Sequence, residues 1–92
     1  MKIRFLDRAT LCAQTVLRAP EFTHDLAVYE RTALTEVPAR IADADIVIVN
    51  KVRLDRAALD AAPNLKMVAV AATGTDNVDL TACRERGIVV SN

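Results

Sequence analysis

Glycine is almost missing from these 92 residues, with Gly74 and Gly87 the two that occur. A phosphate cradle of the G-x-G-x-x-G kind needs glycines at several fixed places, so none can be built here. The two cysteines, Cys12 and Cys83, lie far apart and form no C-x-x-C pair, which points away from a zinc site or a disulfide framework. Reduced, buried thiols in a cytoplasmic protein are the simpler expectation. Excess charge is missing as well: twelve basic and twelve acidic residues cancel. Without a broad positive field, nucleic acid and anionic membrane are not expected partners. No apolar run approaches the length of a bilayer span, and the start, MKIRFLDRAT, meets Arg4, Asp7 and Arg8 before a signal-like segment can develop.

What is present is aliphatic. The apolar fraction is 52% with only 3% aromatic, which suits a compact α/β core better than a disordered or fibrous chain. A chain of this length makes one domain at most, and it buries a smaller share of its surface than a longer domain would. Its margin of stability is expected to be thin.

The punctuation along the chain is that of alternating strands and helices. Ile3, Phe5 and Leu6 form a first strand that stops at Asp7, and Thr10 can cap a helix through Leu11, Val16 and Leu17. After Pro20, a polar link containing His24 leads into a second strand from Leu26 to Tyr29. His24 precedes a strand, whereas α/β sheets bind ligands beyond strand ends, so it is a poor catalytic candidate. Thr35 is the expected N-cap of a short helix through Ile41, with Pro38 in its first turn. Ile46 to Val49 shows no alternation, as in a strand covered on both faces, and ends at Asn50 and Lys51. Asp55 caps a helix that holds Leu59 and stops at Pro63; Asp79 caps another from Leu80 to Arg86, with Gly87 as its C′ residue, and Ile88 to Val90 forms a fifth strand.

Five strands alternating with helices predict a doubly wound parallel sheet, with the flavodoxin-like order 2-1-3-4-5. The remaining strand, Met67 to Ala72, breaks into Thr73-Gly74-Thr75. Gly74 permits backbone angles that bring successive N–H groups together, so this turn is a candidate nest for a carboxylate; an ordinary strand-to-helix turn has the same pattern. In the expected order, Asn50 and Lys51 rise beside Thr73 to Asp76 at one carboxyl edge. Lys51 is there either the counter-charge of a small acid or a solvated surface lysine.

The stretch NKVRLDRAALDAAPNLKMVAVAATGTDNVDLTACRERGIVVSN, with FLDRATL, VYERT and DADIVIVNK upstream, resembles the NAD(P)-dependent D-2-hydroxyacid dehydrogenases, particularly their glycerate dehydrogenase and hydroxypyruvate reductase branch. The resemblance covers almost the whole chain, and its most specific pieces are AATGTDNVDL and RERGIVVSN. It implies a flavodoxin-like substrate domain, of which residues 1–92 form an incomplete segment, interrupted in the family by a Rossmann domain that holds NAD or NADP. It also implies that the backbone at Thr73 and Gly74 binds the substrate carboxylate, with Lys51 as a further substrate-binding candidate. Asp76, Asn77 and Asp79 match the same loop, where they shape the turn and cap the helix.

The family's catalytic arginine, acid and histidine have no counterparts here, and His24 does not replace that histidine. The implied activity is hydride transfer between NAD(P)H and a small 2-oxo or 2-hydroxy acid. The chain alone is expected to be inactive, to bind no cofactor and to hold a small carboxylate weakly. Missing helical cover is expected to make it self-associate as a homo-oligomer. The alternative is a stand-alone flavodoxin-like module for binding or protein association, without catalysis. A flavin-binding role is poorer, because the segment from Asp7 to Thr10 lacks a phosphate cradle.

Overall fold

The computed structural model describes residues 1–7, 25–70 and 77–91. Its five strands are β1 (Lys2–Phe5), β2 (Asp25–Val28), β3 (Ile46–Val49), β4 (Met67–Val70) and β5 (Val89–Ser91). They pair in parallel in the order β2-β1-β3-β4-β5, as the sequence predicts. Strand positions follow the expected ones to within a residue or two. The expected helix from Thr10, together with Cys12, His24 and Thr73 to Asp76, lies outside the described residues.

Three helices, α1 (Val37–Ile41), α2 (Arg56–Asp60) and α3 (Leu80–Glu85), contribute to one core. Val47, Val49, Val68 and Val70 supply the sheet side of that core; Val37, Ile41, Leu59, Ala82 and Cys83 supply the helix side. Side chains alternate along a strand, so Ile46, Ile48, Met67 and Ala69 point to the opposite face. These four are only half-buried, so the covering of β3 and β4 is complete on one face rather than equal on both.

Local capping explains where the helices begin and stop. Asp55 accepts a hydrogen bond from the Ala58 amide at 2.9 Å, and Asp79 accepts one from Ala82 at 2.9 Å, each satisfying an N–H that a helix start would leave open. Gly87 has φ +70°, the left-handed conformation that ends α3 and turns the chain into β5. Thr35 is not the cap expected of it. A 3-10 turn, Leu34–Glu36, precedes α1, and the Glu36 carboxylate reaches back to accept from the Ala33 amide at 2.9 Å. Thr35 therefore lies inside that turn, two residues past the cap position held by Ala33.

Candidate functional site

In a parallel sheet, the strand ends and the loops after them share one edge. β1 and β3 pair with Phe5 opposite Ile48, which brings Asp7, two residues on, level with Asn50. Asp7 is buried at 2% exposure, and its carboxylate accepts from three successive amides: Asn50 at 2.7 Å, Lys51 at 2.5 Å and Val52 at 3.0 Å. A carboxylate held by several N–H donors makes strong, charge-assisted bonds, so the loop after β3 is fixed to the end of β1.

The same loop is held from its other side. The side-chain amide of Asn77 donates to the Val52 carbonyl at 2.8 Å and to the Asn50 carbonyl at 3.4 Å. Leu54 and Val78 form a parallel bridge, with the Leu54 amide donating to Asn77 and the Asp79 amide donating to Leu54. Val49 pairs with Val70 at the end of β4, so both chain ends that flank residues 71–76 abut the loop that carries Lys51. Thr73 and Gly74 themselves lie outside the described residues.

An open cleft of about 450 Å³ occupies this edge, between Asp7, residues 30–32 after β2, residues 51–53, and Leu34 as an apolar wall. Thr32 is tied down by its hydroxyl, which donates to the Leu6 carbonyl at 2.6 Å. Arg40 buttresses this side: it donates to the Arg31 carbonyl and to the Thr32 hydroxyl, each at 2.7 Å, pairs with Glu36 at 2.9 Å, and lies 4.2 Å over the Tyr29 ring.

Among the described residues, the cations of the cleft make no ion pair. Five basic side chains among the described residues, Lys2, Arg4, Arg40, Arg56 and Arg86, sit in ion pairs. Arg31, Lys51 and Arg53 do not, and all three line the cleft and are exposed. The Asp7 carboxylate, which accepts from the loop amides, and the exposed Glu30 carboxylate line the same cleft. Among the described residues, no group of three His, Cys, Asp or Glu side chains could hold a metal ion, and no helix is long and apolar enough to cross a membrane.

Comparison with known proteins agrees with this topology. The catalytic domain of the D-isomer specific 2-hydroxyacid dehydrogenases matches residues 5–92. The chain belongs to that family. It is 42% identical to the glycerate dehydrogenase of Methylorubrum extorquens over 92 residues, covering 99% of this chain and 29% of that protein. To the hydroxypyruvate reductase of Blautia hydrogenotrophica it is 47% identical over 68 residues, covering 71% of this chain and 21% of that protein. The NAD+-bound 3-phosphoglycerate dehydrogenase of Entamoeba histolytica superposes with a TM-score of 0.76 at 25% identity, over 98% of this chain and 32% of that one. The chain thus spans less than a third of the length of these relatives.

Lys51 lines the cleft, and Asn77 bonds to the loop that carries it. Sequence reasoning took Asp7 only as a strand end and passed over Arg31 and Arg53. The signal for Asp7 was available, since an acid two residues beyond a central strand of a 2-1-3-4-5 sheet must lie beside the loop after strand three. Arg31 and Arg53 have no local signature, because their partnership comes only from the fold.

Proposed function

We propose that this chain is the acid-binding segment of an oxidoreductase that moves a hydride between NAD(P)H and a small 2-oxo or 2-hydroxy acid, such as hydroxypyruvate or glyoxylate. The observation that carries this reading is the exposed set Arg31, Lys51 and Arg53, without ion pairs among the described residues, around one cleft at the carboxyl edge of a sheet belonging to this family. Lys51 supplies the charge nearest the loop held by Asp7 and Asn77, and the backbone at Thr73 and Gly74 supplies further donors to the carboxylate. Such binding is weak, because exposed cations are screened by salt and water.

The residues present do not fit a dinucleotide. Gly87 stands at a helix C-terminus and leads into a strand, the reverse of the strand-to-helix turn that cradles a pyrophosphate, and Gly74 is the one other glycine. Cofactor binding and the proton exchange at the hydroxyl therefore belong to parts of the longer relatives that this chain does not match. Calorimetry with NADH and an absorbance assay with hydroxypyruvate test this on the purified chain: no saturable heat and no loss of NADH absorbance are expected. Saturable low-micromolar NADH binding, or turnover, overturns it.

A further inference from the structure

The amides of Asn50, Lys51 and Val52 converge on one point, and that point is occupied by the chain's own carboxylate. We infer that these three amides form a carboxylate site filled from within, and that Asp7 is a positioning residue: by occupying the site it fixes the Lys51 loop and leaves the Lys51 ammonium, not the loop amides, to meet an incoming acid.

The geometry of the loop supports this. Successive N–H groups directed to one side of a turn form an anion-binding concavity, and a carboxylate held by several of them is a strong acceptor. Asp7 is almost fully buried yet borders the cleft, so an anion arriving from the cleft would compete for the same amides if its carboxylate were absent. The carbonyls of the same segment are engaged from the far side by Asn77, which keeps the amides directed at Asp7 when the loop would otherwise be free to turn over. The Lys51 ammonium makes no ion pair among the described residues, so its placement depends on its backbone.

The test is chemical replacement. Asp7→Ala keeps the β-carbon and removes a carboxylate, which formate can restore. In the variant, amide exchange at Asn50, Lys51 and Val52 is expected to rise more than about tenfold relative to core amides such as Val47 and Val68, the scale of losing charge-assisted bonds. Formate is then expected to shift these three amides saturably and to slow their exchange again, while leaving them unmoved in the unaltered chain. Inert amides, or equal formate shifts in both chains, overturn the inference. Should Asp7→Ala not fold, Asp7→Asn, of the same shape but without the charge, serves for the exchange measurement with the same expectation.

The second half rests on the proposed acid-binding role of Lys51, and a double-mutant cycle separates the two. If Lys51→Met leaves glyoxylate affinity unchanged, the role of Lys51 fails. If Lys51→Met weakens it but the loss from Asp7→Asn is additive to that, Asp7 does not act through Lys51 and the positioning role fails.

Discussion

The side-chain amide of Asn77 donates to the Val52 carbonyl at 2.8 Å, tying the chain that follows residues 71–76 to the loop beyond β3. Both loops at this edge of the sheet therefore share a bond across 25 residues of sequence. Asn77→Ala removes it together with the longer contact to Asn50. The expected loss is about 1–2 kcal/mol in urea unfolding, with faster amide exchange at Leu54, whose N–H donates to the Asn77 carbonyl. A loss confined to residues 77–79, with the 50–54 segment unmoved, contradicts the coupling.

Burial pushes the Cys83 thiol above its ordinary value of 9.0, and the neighbouring Asp79 carboxylate adds to the shift. The folded chain thus holds this proton to higher pH than the unfolded chain does. Its contribution to stability is full below the ordinary thiol range and is lost as pH rises through the raised folded value. Urea midpoints should fall between about pH 8 and pH 10, and the fall should be smaller in Cys83→Ala. Equal slopes in the two chains would remove Cys83 from the account.

Self-association is expected from the face opposite the three helices. Val89, on the edge strand β5, is 61% exposed and stands in register with the half-buried Met67. At the other edge, Leu26 and Val28 of β2 are 37% and 43% exposed. Sheet edges with apolar side chains are open to pairing with another chain. Sedimentation equilibrium should show mass rising with concentration, reduced by Val89→Lys; a monomer at every concentration is the contrary result.

The parts of this fold that the sequence discloses are those with local causes. Asp55 and Asp79 act within three residues of themselves, Gly87 marks a turn by its backbone alone, and the unbroken aliphatic runs of β3 and β4 mark the two strands. Thr35 misleads because a neighbouring glutamate reaches back to the amide of Ala33 and starts the turn earlier. Asp7 is hidden for a different reason: its three donors are more than forty residues away, and only the pairing of β1 with β3 brings them to it. The uneven cover of the sheet is likewise a property of the assembled layers, which no window of sequence contains.

The central claim is that the carboxyl edge binds a small acid through the Lys51 side of the cleft. Titrating isotopically labelled chain with glyoxylate, while following the Lys51 ammonium and the amides of residues 50–53 and 73–75, tests it most directly. The account predicts weak, saturable shifts at these positions, suppressed by salt and lost in Lys51→Met. Shifts that leave Lys51 and the loop unmoved while appearing elsewhere, or an unchanged affinity in Lys51→Met, would contradict it.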